Sequence, residues 1–281
     1  MTLPLSIAVA PNGARKTRAD HPALPITPDE LAACARQCVD AGTAMLHLHV
    51  RRADGTHSLE PDDYRPAIAR VKQAVGDALV IQITTEAVGI YGPAQQMASV
   101  RALRPEAISA ALRELVPNDV NAAAHEAEAA RFFAELAAAR TAIQYILYSD
   151  DDVVRYRDLR ARGVLPDAPH WVLFVLGRYS AGQRSEPADL LPFLRAWADG
   201  GELTAGVPWA MCAFGPREAD CALAAALLGG HVRLGFENNM ALPDGSPAPD
   251  NAALVAHFRR HTDALHRPLA SAADLRAWFA R

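Results

Sequence analysis

Two histidines one residue apart sit in the run Met45-Leu46-His47-Leu48-His49-Val50-Arg51. The run is short and apolar, with Ala41-Gly42 before it and Ala53-Asp54-Gly55 after it, and it reads as a β-strand. Side chains alternate across a strand, so His47 and His49 face the same way, one pleat apart. Two imidazoles on one face at a strand's C-terminal end suit a divalent metal, whereas a bland alternative is two histidines hydrogen-bonded in a polar cleft. Late in the chain, Arg233 and Glu237 belong to the run His231–Glu237. His47, His49 and Glu237 would form a two-histidine, one-carboxylate set with open positions for substrate, the pattern of a catalytic zinc site. The competing readings are a rim salt bridge for Glu237 and an internal ion pair for Arg233. Either way a buried guanidinium demands an anion.

Such a set needs strands that bring residues 47, 49 and 237 to one place. Apolar runs bounded by turn residues predict strands at Ser6–Ala10, Met45–Arg51, Ala78–Thr84, Ala107–Leu112, Ala142–Tyr148, His170–Leu176, Thr204–Ala213 and His231–Glu237. Helices are predicted from Thr27 to about Asp40, Pro61 to Val75, Gly92 to Leu103, Asn121 to Arg140, Asp150 to Arg162, Glu186 to Ala198, Pro216 to Leu228 and Pro249 to Leu265. Thr27 is the N-cap of the first, Pro28 fills its first position, Glu30 closes a capping box and Gly42 stops it. Strict alternation of this kind predicts an α/β fold, a single (β/α)8 TIM barrel over residues 1–281, with a short extra C-terminal helix at Ser271–Ala280. An open doubly wound sheet is disfavoured because no G-x-G-x-x-G follows the first strand. No linker, repeat or low-complexity tract divides the chain, so one domain is expected.

Composition narrows the function. Of 281 residues, 51% are apolar and 21% charged, with a net charge of −4 and no dense Lys/Arg run, so a nucleic-acid or anionic-membrane role has no electrostatic footprint. No apolar run reaches membrane-spanning length, and Met1–Ser6 has no basic stretch; a cytoplasmic protein without a signal peptide is expected. Cys34 and Cys38, four apart on a helix, read as a packed thiol pair.

In barrels of this kind the working site lies at the C-terminal ends of the strands. The polar residues there are Asn12 and Arg15; His47, His49 and Arg51; Thr84, Thr85 and Glu86; Arg113 and Glu114; Tyr148 and Ser149; and Arg233, Glu237 and Asn238. Together with Gly13-Ala14, Thr17-Arg18-Ala19-Asp20, Pro25-Ile26-Thr27-Pro28, Ile81-Gln82-Ile83-Thr84-Thr85, Phe174-Val175-Leu176-Gly177 and Gly229-Gly230-His231-Val232-Arg233, the H-x-H-x-R and G-x-E blocks resemble the β-keto acid cleavage enzymes along nearly the whole chain.

The resemblance implies a zinc-dependent barrel, usually a homo-oligomer and commonly a homotetramer. It also implies a Claisen-type exchange in which a β-keto acid and acetyl-CoA give acetoacetyl-CoA and a shortened acyl product. It places one metal ion on His47, His49 and Glu237, a cationic helper at Arg233 and a substrate-contacting hydroxyl at Thr84. Four positions depart from the family pattern: Arg15 stands for a glutamate, Asn238 for an aspartate, Glu86 stands at a strand end that is glycine-rich in the type member, and the strand end Ala110-Ala111-Leu112-Arg113-Glu114 replaces an Asn…Thr pattern. Because an amide cannot act as a base, Glu86 or Glu114 is expected to take over acid/base work around Asn238. Arg15 is expected to bind a substrate carboxylate, with Asn12 and Thr85 as further substrate contacts, which favours an acidic or neutral β-keto acid over an amino one. The alternatives are another carbonyl cleavage or hydrolysis on the same metal barrel, an amidohydrolase-like enzyme, and a non-catalytic binding homologue. No phosphate-cradling glycine loop marks a CoA pocket.

Overall fold

A computed structural model describes residues 3–262 and 265–280. The chain runs β1 (Ile7–Val9), α1 (Pro28–Ala41), β2 (Met45–Leu48), β3 (Val50–Arg51), β4 (His57–Ser58), α2 (Pro61–Val75), β5 (Val80–Ile83), α3 (Pro93–Leu103), β6 (Ala107–Ala111), α4 (Leu112–Leu115) and α5 (Ala122–Ala138). It continues through β7 (Ala142–Leu147), α6 (Asp150–Ala161), β8 (Trp171–Leu176), α7 (Leu190–Ala198), β9 (Trp209–Ala213), α8 (Glu218–Leu227), β10 (His231–Leu234), α9 (Asn251–Thr262) and α10 (Ala272–Phe279). Eight parallel strands close a barrel in the order β1-β10-β9-β8-β7-β6-β5-β2, the (β/α)8 architecture that the alternation predicts.

Local chemistry explains the element ends. Thr27 Oγ1 accepts from Glu30 N, and the Glu30 carboxylate accepts from Thr27 N at 2.9 Å, so the capping box opens α1 as read from sequence. Gly42 ends it in the left-handed conformation, φ +109°. Cys34 and Cys38 Sγ lie 3.9 Å apart, both buried and unbridged. Among the described residues no helix is long and apolar enough to cross a membrane.

Five boundaries differ from the sequence reading by more than fraying at an element end. The strand at residues 45–51 breaks at His49, and Val50–Arg51 pair instead with His57–Ser58 in an antiparallel hairpin. Leu112 opens α4 rather than ending a strand, so Arg113 and Glu114 sit on a helical turn. Residues 204–208 are not strand: Thr204 Oγ1 donates to the Trp197 carbonyl at 2.8 Å and holds a turn, and β9 begins at Trp209. The helix read from Glu186 starts as a 3₁₀ turn at Pro187–Asp189. β10 stops at Leu234, leaving Glu237 in the turn beyond. The part of the Pro249–Leu265 helix at residues 263–264 lies outside the described residues.

One apolar layer packs between the strands' outer faces and the helices, and a second fills the barrel. α10 closes the barrel's lower end, where Trp278 meets Trp171 and His231 at ring distances of 6.4 and 5.2 Å. Toward the upper end the interior turns polar. In register, His47 stands opposite Gln82 and Gln82 donates to Gln144, while Arg233 and Cys212 reach inward from β10 and β9. Buried polar groups of this kind are tolerated only when partnered, so this layer prefigures the site above it.

Candidate metal and active site

The barrel brings His47, His49 and Glu237 together. The two Nε2 atoms are 3.1 Å apart, and Glu237 Oε2 lies 3.6 Å from His47 Nε2 and 3.2 Å from His49 Nε2. Gln82 Nε2 is committed as a donor to Gln144, so Gln82 Oε1 takes the Nδ1–H of His47 at 2.8 Å. That fixes the proton on Nδ1 and leaves the Nε2 lone pair facing the other two groups. Burial, then the nearby Arg233 charge, pushes the His47 imidazolium down to about 3, so the ring is neutral near pH 7. Glu237 Oε2 is buried and receives no hydrogen bond among the described residues. Burial alone would raise its carboxyl, but Arg233 and the two histidines outweigh that and hold it well below the usual range. Tetrahedral zinc with ligand bonds of roughly 2.0–2.2 Å spaces its donor atoms roughly 3.3–3.5 Å apart. Three lone-pair donors at 3.1 to 3.6 Å, one of them an orphaned buried oxygen, fit such an ion. His49 Nδ1 is buried, and among the described residues it has no hydrogen-bond partner to orient the ring from behind.

Arg233 sits under the group. Its Nη2 donates to Glu237 Oε1 at 2.9 Å, Asn238 Oδ1 at 3.2 Å and Cys212 Sγ at 3.2 Å. Burial alone would destabilise this cation, but Cys212 and the Glu237 carboxylate outweigh that and keep it charged. Behind Asn238 lies Glu218, a fully buried acid that the sequence reading passes over. It accepts from Gly235 N at 3.1 Å, Asn238 Nδ2 at 3.4 Å and Asn239 Nδ2 at 3.4 Å. Despite these donors, burial pushes its carboxyl up to about 8.

The other sequence-derived residues divide. Thr84 and Glu86 line a small cavity against His47, Arg233 and Glu237, together with Tyr148 and Arg178. Thr84 Oγ1 accepts from Glu86 N at 3.0 Å, which leaves its O–H free to donate. A second cavity of about 160 Å³ opens outward from it past Arg15 and Lys16, and Glu86, Arg178, Phe214 and Glu237 form the neck common to both. Glu114 is not in either lining. Its carboxylate accepts from Ala87 N at 2.8 Å and Gln96 Nε2 at 3.1 Å, bracing the β5–α3 loop, and burial raises its carboxyl. Thr85 is likewise turned away, its hydroxyl donating to the Ser109 carbonyl at 2.8 Å. Asn12 holds the β1–α1 loop through the Pro25 carbonyl at 2.9 Å. Arg51 clamps the same loop through the carbonyls of Asn12, Gly13 and Lys16. Arg113 is engaged by Asp152 and Ser149, both at 2.8 Å.

Arg178, missed by the sequence reading, therefore lines the cavity beside the candidate metal group while Glu114 does not. A larger cavity of about 380 Å³ lies at the barrel's other end, around Trp171 and Trp278, and holds none of these residues.

A family model described as beta-keto acid cleavage enzyme matches residues 4–280. The 3-keto-5-aminohexanoate cleavage enzyme of Fusobacterium nucleatum is 27% identical over 277 residues, covering 97% of this chain and 96% of that one. The 3-oxoadipate:acetyl-CoA acetyltransferase of Cupriavidus necator is 29% identical over 289 residues, covering 99% and 95%. Among solved structures, apo ObcA superposes with a TM-score of 0.67 at 18% identity, over 92% of this chain and 66% of that longer one, a likeness of fold alone.

Proposed function

The chain belongs to the beta-keto acid cleavage enzyme family, and on that premise we propose that it exchanges the acyl group of a β-keto acid with acetyl-CoA at the His47/His49/Glu237 site. The observation that carries this reading is the convergence of those three donors over a buried, charged Arg233 at the barrel mouth. A zinc ion held there supplies Lewis acidity toward the keto and carboxylate oxygens of the substrate. Arg233 adds a fixed positive charge where enolate charge develops, and the free O–H of Thr84 donates to substrate oxygen. Of the two acids that could replace the missing aspartate, Glu86 faces the cavity and Glu114 is engaged elsewhere, so Glu86 removes the proton from C2 of the β-keto acid.

The resulting carbanion attacks the thioester carbonyl of acetyl-CoA and CoA thiolate leaves. The thiolate then adds to the original keto carbon, the C2–C3 bond breaks, and C2 takes back its proton. Because the thiolate adds to the original keto carbon, CoA ends on the shortened acyl group and acetoacetate leaves with its own carboxylate, rather than as acetoacetyl-CoA. Arg15, exposed at the outer cavity, draws acidic substrates in. The same reading makes the protein a cytoplasmic homotetramer. The exposed Leu191, Leu227 and Leu228, on or beside α7 and α8, offer apolar surface for assembly, which light scattering would size.

The test is to load the chain with zinc and follow acetoacetate and acyl-CoA over a panel of β-keto acids. Product is expected only with acetyl-CoA present, with His47→Ala inactive and Glu86→Gln slowed about 100-fold or more. Cleavage at an equal rate without any CoA thioester would sink the exchange.

A further inference from the structure

We propose that Arg178 is the specificity residue of this site and that it binds a second carboxylate, so that the substrate is a β-keto diacid. The inference rests on the function proposed above for the same cavity. Arg178 follows β8 directly after Gly177, which has φ +73°. A Cβ on Gly177 would lie 2.3 Å from Ser185 Oγ and 2.7 Å from the Arg184 carbonyl oxygen, so only glycine makes the turn that aims residue 178 across the barrel mouth. The guanidinium packs over Phe214 and Tyr179, 5.4 and 5.5 Å from their ring centres, and its side chain is only 16% exposed. Aromatic faces on a guanidinium orient it without using its hydrogen-bond donors.

Those donors are nearly all free. Among the described residues the Arg178 guanidinium makes one hydrogen bond, Nη2 to Glu86 Oε1 at 3.4 Å, at the long limit for such a bond. Three other arginines near the mouth are engaged, Arg51 by backbone carbonyls, Arg113 by Asp152 and Ser149, Arg233 by Glu237 and Asn238, while Arg15 is exposed to solvent at the outer cavity. A guanidinium has five N–H groups in a fork that matches a carboxylate, so a mostly buried one with a single long contact is a waiting anion site.

The surroundings select the sign of the ligand. Glu237 is committed to Arg233 and the two histidines, and Asp20 is held by Thr17 N at 2.7 Å and Thr17 Oγ1 at 2.9 Å. That leaves Glu86 as the cavity's one acid without a tighter partner, and it faces Arg178. A substrate ammonium would have to take Glu86 from Arg178, whereas a substrate carboxylate meets Arg178 with Arg15 and Lys16 beyond it. Because Arg178 lines the neck between the two cavities, a diacid can put its β-keto acid end at the metal group and its other carboxylate on this fork.

Calorimetry on the zinc-loaded chain without acetyl-CoA decides the matter, with 3-oxohexanedioate and 3-oxohexanoate as probes. The diacid is expected to bind about tenfold or more tighter. Arg178→Met should abolish that preference while still binding 3-oxohexanoate, and Arg15→Met should keep most of it. Equal binding of the two acids by the unaltered chain, or a preference that survives Arg178→Met, overturns the proposal. If Arg178→Met binds neither acid, Arg178→Lys decides: a reduced preference supports it and an equal loss for both acids refutes it. Turnover is scored separately, so absence of acyl-CoA product from either acid counts against the exchange and leaves the binding result standing.

Discussion

Asn238 carries an amide where both of its neighbours need one. Its Oδ1 accepts from Arg233 Nη2 at 3.2 Å, and its Nδ2 donates to Glu218 Oε1 at 3.4 Å. From the sequence, this position looks like a lost base. In the structure the missing acid has a counterpart behind it, since Glu218 is buried with its carboxyl raised to about 8. An aspartate at 238 would keep the acceptor for Arg233 but lose the Nδ2 donor to Glu218, and above about pH 8, where Glu218 ionises, it would set two buried carboxylates against each other. Asn238→Asp is therefore expected to cost about 2–3 kcal/mol in thermal unfolding of the metal-free chain at about pH 9. Adding Glu218→Gln, whose amide can donate to the new carboxylate, should recover most of the loss. Simple additivity of the two changes would show that the residues do not couple. His47, His49 and Glu237 were legible beforehand because strand alternation and the barrel-mouth rule constrain them, with the family resemblance agreeing. Glu218 and Arg178 were not: an acid in a helix's first turn and an arginine after a turn glycine both have ordinary surface explanations.

The β1–α1 loop and the turn after β10 form one unit. Arg51 holds the loop by three of its carbonyls, and Gly13 in that loop, φ +58°, packs on the Glu237 side chain of the candidate metal site. A Cβ on Gly13 would stand 2.6 Å from Glu237 Cγ and 3.1 Å from its Cβ. Gly13→Ala is thus expected to leave the chain folded, at about 1 kcal/mol for the left-handed backbone, but to displace Glu237 and weaken zinc at least about tenfold. Competition against a fluorescent chelator measures this, and an unchanged zinc affinity would mean that the loop does not set the carboxylate. At this scale most of the architecture could be read in advance: the βα alternation predicts the closed barrel, and the Thr27/Glu30 capping box and Gly42 mark α1 as found. The misread boundaries share a cause, in that an apolar run does not say where its hydrogen bonds go. Leu112, Leu115 and Val116 extend the β6 run but have helical spacing, and the chain turns there, which carries Glu114 away from the mouth. The Asp54-Gly55 turn made β3 and β4 available as a hairpin, and pairing Arg51 with His57 ends β2 at Leu48.

The whole barrel is closed at its lower end by neutral histidines, and that makes its stability sensitive to acid. His231 Nδ1 accepts from Ser6 N at 3.0 Å and from Arg267 Nη2 at 3.3 Å, tying β10 to the chain's first strand and to the segment before α10. His170 Nδ1 accepts from Tyr156 O–H at 2.8 Å, and its Nε2–H donates to the Pro166 carbonyl at 2.8 Å. Both roles need an uncharged ring, and burial pushes the two imidazoliums down to about 3 and about 4 respectively, from an ordinary 6.5. The sign follows from linkage. Above pH 6.5 both states hold these rings neutral and the stability is fully present. Below it the unfolded chain takes up protons that the folded barrel refuses, and stability falls until the folded values near 3 to 4 are reached. Each ring contributes about 1.4 kcal/mol of loss per pH unit within that window. Denaturant titrations of the metal-free chain between pH 6.5 and 4 should therefore show a steep decline in stability. His231→Asn keeps an acceptor for Ser6 N and removes the titrating ring, so it should flatten that slope by about one proton's worth. An unaltered slope would mean that the folded barrel protonates His231 as readily as the unfolded chain does, and that the lower end is not the acid-sensitive seal its hydrogen bonds describe.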